Sequence, residues 1–141
     1  MTPLAALQQT LAGEHAAVYV YGVLGGRVST SAEPGLATRL RSAYTTHRGR
    51  RDQLTAMVRA SGAEPVAAEV SYELPNPSRT PRQVGAAALV VEQRCAVMYA
   101  EAVGSTARAS RRWAVTALTD TAVRLLSFGA SPEPFPGVGE L

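Results

Sequence analysis

A chain of 141 residues, 46% of them hydrophobic, makes one domain long enough to bury a core without disulfides or metal. Its formal charge of +3 is too small to argue for nucleic acid, and its single cysteine excludes an intrachain disulfide. The longest apolar run, residues 86–91, falls far short of a membrane span. All basic residues are Arg, and Lys and Ile are absent, which marks a GC-rich coding sequence rather than a chemistry. The start, Met1-Thr2-Pro3-Leu4, lacks the basic region of a signal peptide, so reducing cytoplasm is the expected compartment.

Thr2 can cap a first helix, with Pro3 at its first position. That helix is expected to reach about Arg27, past Gly25 and Gly26, with Leu4, Leu7, Leu11, Val18 and Tyr21 on one face. Glu14 falls on the same face, where a core side chain belongs. Ser29, Thr30 and Ser31 make a turn, Pro34 opens a second helix, and Gly62 stops it. The stripe of this helix reads Leu40, Tyr44, His47, Arg51, Leu54 and Val58, so His47 and Arg51 interrupt an apolar seam. Residues 63–80 carry Pro65, Pro75 and Pro77 and form an irregular connection of a length that compact domains keep only for a purpose.

Thr80-Pro81-Arg82-Gln83 starts a third helix, with Thr80 as N-cap and Gln83 completing a capping box. This helix runs to about Val103, with Leu89, Glu92, Ala96, Tyr99 and Val103 on one face. Cys95 shares a stripe with Val84, Ala88, Val91 and Met98, the setting of a buried inert thiol. A fourth helix, from about Ala107 to Phe128, shows the apolar stripe Val115, Leu118, Ala122 and Leu125. Asp120, Arg111, Arg112 and Arg124 are left for solvent. Gly129 ends it, and the Pro- and Gly-rich tail, residues 129–141, is expected to be extended or disordered.

A helix of roughly 26 residues is about 39 Å long, and about 18 extended residues reach roughly 60 Å. The connection can therefore run the length of a bundle and set helices two and three parallel. The expected fold class is all-α: a ferritin-like four-helix bundle over residues 1–128, with a long crossover between helices 2 and 3.

Three helices thus place Glu14, His47 and Glu92 near mid-length in the interior. A lone buried carboxylate costs several kcal/mol even after relaxation, so these groups ask for mutual partners or a cation. One reading is a buried polar network of Glu14, Tyr44, His47, Arg51 and Glu92, with Arg51 or His47 supplying positive charge. The other is a metal site, in which Glu14, His47 and Glu92 hold one Zn or Fe. His15 points about 100° away from Glu14 and reads as surface. Tyr19, Tyr21 and Tyr99, like Tyr44, read as core aromatics whose hydroxyls join the network. The Arg48, Arg50 and Arg51 cluster reads as solvated or paired within the chain, with no nucleic-acid face.

The stretches Glu14-His15-Ala16-Ala17-Val18-Tyr19, His47-Arg48-Gly49-Arg50-Arg51-Asp52, Tyr72-Glu73-Leu74-Pro75 and Glu92-Gln93-Arg94-Cys95 together resemble the ferritin-like superfamily. More narrowly, they resemble an actinobacterial ferritin-like family of unassigned function. Metal-binding members supply a Glu from each of two helices and a Glu-x-x-His from each of the other two. Glu14 and Glu92 match two of these carboxylates. In Tyr44-Thr45-Thr46-His47 the His is kept and Tyr replaces the Glu, and the fourth helix has no Glu-x-x-His.

The resemblance therefore implies a degenerate metal centre, no cofactor and no catalytic residue. The expected function is a non-enzymatic structural or interaction module. It is expected to form a homodimer with the tail across the second subunit, without nucleic acid or membrane as partner. The alternative is a metal-binding protein or oxidoreductase using Fe, Zn or Mn at Glu14, His47 and Glu92. A third reading is a carrier of an apolar ligand inside the bundle.

Overall fold

The computed structural model describes residues 1–140; Leu141, the last residue of the expected tail, lies outside them. Four helices are present: α1 (Pro3–Gly26), α2 (Pro34–Ala60), α3 (Pro81–Ser105) and α4 (Arg108–Ser127). A 3-10 turn at Val138–Glu140 follows in the tail. Their starts are chemically explicit. Thr2 accepts from Ala5 N–H at 3.1 Å, and Thr80 accepts from Gln83 N–H at 3.2 Å. The Gln83 side chain reaches one residue further back than a capping box requires and accepts from Arg79 N–H at 2.9 Å. α2 and α4 end at Gly62 and Gly129, both at positive φ, which glycine adopts without a Cβ penalty.

The crossover runs where its length allows. Gln8 bonds the backbone of Glu64 and Val66, and His15 Nε2 lies 3.0 Å from Val66 O. Tyr19 packs on Tyr72 at 5.6 Å between centroids, and Arg27 donates to Pro77 O at 2.7 Å. The chain thus climbs α1 from its first turns to its C-cap, Arg27, before α3 begins. α2 and α3 therefore run parallel to each other and antiparallel to α1 and α4.

The interior is one bundle core. Val20, Tyr21, Leu24, Leu40, Ala43, Val84, Ala88, Val91, Cys95 and Tyr99 form its larger part, and Leu7, Leu11, Leu54 and Val58 close the other end. The fourth helix is rotated from the expected stripe. Ala114, Ala117, Thr121 and Leu125 face inward, and Val115 is 45% exposed. α4 packs closely on α3, and Ala114 and Ala117 are the residues it buries in the first half of that face.

The tail has no helix or strand before the 3-10 turn. It folds back over its own α3–α4 surface, where Pro134, Phe135 and Val138 flank Leu118 and Ala122. Gly137 is buried at φ +77°, and a Cβ there would sit 2.5 Å from the backbone of Ala96. Only glycine lets the tail lie this close to α3. No described helix is long and apolar enough to cross a membrane.

Candidate functional site

Glu14, His47 and Glu92 meet at the centre of the bundle with 0% exposure each. Each comes from a different helix, so only the packing of α1, α2 and α3 brings them together. His47 Nδ1 lies 2.7 Å from Glu14 Oε2, and His47 Nε2 lies 3.0 Å from Glu92 Oε1. The imidazole therefore stands between two carboxylates, with one nitrogen turned to each. The Tyr21 ring stacks on it, 5.3 Å between centroids and 16° from parallel.

A carboxylate is an acceptor, so both ring nitrogens are called on to donate, and only the imidazolium donates from both. Burial alone would lower the His47 pKa, but the hydrogen bonds and charges of Glu14 and Glu92 overcome it and raise the value to about 9. His47 is a fixed cation at neutral pH.

Two phenols complete the carboxylates. Tyr21 donates to Glu92 Oε1 at 2.6 Å, and Tyr99 donates to Glu14 Oε1. Burial, with the adjacent carboxylate second, holds both phenols well above their ordinary pKa, so both stay protonated donors. The Tyr99 oxygen in turn accepts from Arg50 Nη1 at 3.1 Å.

Arg50 is 7% exposed and spans three helices. It also donates to Thr121 Oγ1 at 3.0 Å, Ala117 O at 3.3 Å and Asp120 Oδ2 at 2.6 Å. Asp120 is shared with Arg124 at 3.1 Å, and Arg124 Nε approaches Glu92 Oε1 at 3.7 Å. The path closes on itself through His47, Glu14, Tyr99, Arg50, Asp120, Arg124 and Glu92. It draws on all four helices and balances three carboxylates against three cations.

Several residues sit elsewhere than the sequence suggested. Arg51 does not enter the ring; it pairs with its neighbour Asp52 at 2.8 Å, 30% exposed. Tyr44 stays at the edge of the core, with Arg48 stacked on its ring at 5.5 Å, and it shares no hydrogen bond with the ring. The reason is helical geometry. From His47, positions 43 and 50 flank one side of the interior face and positions 44 and 51 the other. The side toward α3 and α4 takes Ala43 and Arg50. α4 also joins the site: Arg124, expected at the surface, is only 12% exposed, while Asp120 stays 49% exposed as expected and still pairs with Arg50 of α2. Tyr21 and Tyr99 join the network through their hydroxyls, as expected; each stands seven residues from a buried Glu on the same stripe. Cys95 is buried, and His15 faces the crossover.

The donor set does not converge as a metal site would. A metal-binding imidazole must offer a lone pair, whereas here each ring nitrogen is committed to its own carboxylate on opposite sides of the ring. Among the described residues no group of three or more His, Cys, Asp or Glu is arranged to hold a metal ion. Each buried carboxylate of the pair stands against one nitrogen of His47.

A conserved hypothetical protein, rv2844, from Mycobacterium tuberculosis is similar in structure, with a TM-score of 0.82 and 31% identity over 93% of each chain. No curated protein matches. The family model described as a domain of unknown function (DUF4439) matches residues 6–140, and the chain belongs to that family.

Proposed function

We propose that this chain is a non-catalytic ferritin-like module whose ancestral metal position is held by the His47 imidazolium, and that it acts through its surface by associating with a protein partner. One observation carries the reading: both nitrogens of a fully buried imidazole are engaged by separate carboxylates, at 2.7 and 3.0 Å. A protonated imidazole in that place does electrostatically what a cation would do, and it leaves no open coordination position. The ring then works as a clamp that ties four helices at one level. Breaking such a buried pair from one side typically costs about 3–5 kcal/mol, because it strands the remaining charge.

A second reading, metal binding at Glu14, His47 and Glu92, draws on a different observation. Glu92 Oε2 is buried and has no hydrogen-bond partner among the described residues. Elemental analysis separates the two. Untagged protein, purified without chelator and then exposed to Fe(II), Zn(II) or Mn(II), is expected to retain no stoichiometric metal. The Glu14→Gln and His47→Ala variants are expected to lose stability only. Near-stoichiometric metal in the wild type that disappears in both variants would overturn the clamp reading.

A further inference from the structure

The outer face of α4 carries an exposed stripe, bordered along its α3 side by the tail. Val115, Val123 and Leu126 are 45%, 64% and 45% exposed, and Phe135 of the tail, 75% exposed, borders the stripe at Thr119. Thr119 lies at the middle of this stripe. Its hydroxyl donates to Val115 O at 2.8 Å, so the methyl is what it presents outward. Thr116 does the same to Arg112 O at 3.0 Å. The surface is thus more apolar than its composition suggests.

The charges at the two ends of α4 are unbalanced within one chain. Arg108, Arg111 and Arg112 crowd its start, with no acidic residue in the first turn and no side-chain cap. Cations at a helix N-terminus meet the positive end of its dipole and are unfavourable there. Among the described residues, none of the three has a carboxylate within ion-pair distance. The opposite end offers what they lack: the negative end of the dipole, and Glu133, which borders the same groove as Thr119 and Leu126.

We propose that this face binds a second copy of the chain, α4 against α4 in antiparallel register, with Thr119 on the twofold axis. In that register Val115 of one copy meets Val123 of the other, and Arg112 meets Leu126. The stripe is its own complement, as a twofold interface requires. The three arginines of each copy reach the α4 C-terminus and Glu133 of the other, where their sign is right. This names the partner left open by the surface-association reading above. Its failure is distinguishable, because it is read in molecular mass and cross-linking while the clamp is read in metal content and stability.

The test uses the full chain. Sedimentation equilibrium across about 1–100 μM, an ordinary range for modest interfaces, is expected to show a dimer. V123E is expected to weaken it at least tenfold with helix content unchanged. V70E, on the crossover where Val70 is 99% exposed, is the control and is expected to change nothing. T119C is expected to form a disulfide-linked dimer rapidly. L126C is not, because its two copies stand about 21 Å apart along the axis at 1.5 Å per residue. A wild type that is monomeric at 100 μM overturns the proposal. So does undiminished dimerisation of V123E, or cross-linking of L126C as fast as that of T119C, which a parallel pairing would give.

Discussion

Replacing His47 by Gln tests the clamp directly, because stability then has to answer to pH in a defined direction. The wild-type His47 value is about 9 in the folded chain against 6.5 for the free side chain. The folded state holds a proton that the unfolded state releases above pH 6.5. The stabilisation is therefore complete below pH 6.5 and is lost as pH rises through 9. At about 1.36 kcal/mol per unit, the full shift corresponds to roughly 3 kcal/mol. About 2 kcal/mol of that should vanish between pH 6 and pH 8 by the same linkage.

The groups facing the imidazole from the other helices are Glu14 and Tyr21 on α1 and Glu92 on α3, and Arg124 on α4 approaches Glu92 behind it. The two phenols stay protonated throughout this range. Cys95, its thiol pushed up by burial, adds a loss of the same sign only above the ordinary thiol range. Stopping at pH 8 keeps it out of the measurement. Urea denaturation at pH 6, 7 and 8 on the wild type and on His47→Gln reads both slopes. Gln donates from one end only, so the variant should be less stable by about 3–5 kcal/mol at pH 6 and should lose the His-linked slope. A wild-type stability flat from pH 6 to 8, or an unchanged slope in His47→Gln, refutes the imidazolium.

Two further outcomes follow from the ring and the tail. Arg50→Ala should cost about 2–4 kcal/mol in urea denaturation, since it strips donors from Tyr99, Thr121 and Asp120 at once, whereas Arg51→Ala should stay within about 0.5 kcal/mol. The reverse order would mean that α2 is turned the other way about His47. Gly137→Ala cannot keep φ +77° with a Cβ 2.5 Å from the Ala96 backbone, so the tail should lift from α3. Hydrogen exchange should then show residues 131–138 losing protection while the four helices keep theirs. An unchanged exchange pattern would show that the tail does not rest on that contact.

Much of this protein is dictated locally. Proline at the first helical position, threonine caps, and glycine at the C-terminal stops marked the helices to within a few residues, because the backbone chemistry at those points admits few alternatives. The length of residues 63–80 implied the crossover, since reach is set by bond geometry. Glu14, His47 and Glu92 were legible as charges on apolar seams. What decided the ring was tertiary. Around His47 a step of three or of four keeps the seam apolar, so Tyr44 and Arg51 competed on equal terms with Ala43 and Arg50 until α4 took its place. The orientation of α4 was hidden for a related reason. Val115 looks like a core residue in isolation, but the tight packing of α3 against α4 selects Ala114 and Ala117, leaves Val115 outside, and turns Asp120 and Arg124 toward α2. Periodicity tells which residues share a face; only the neighbours tell which edge of that face is filled.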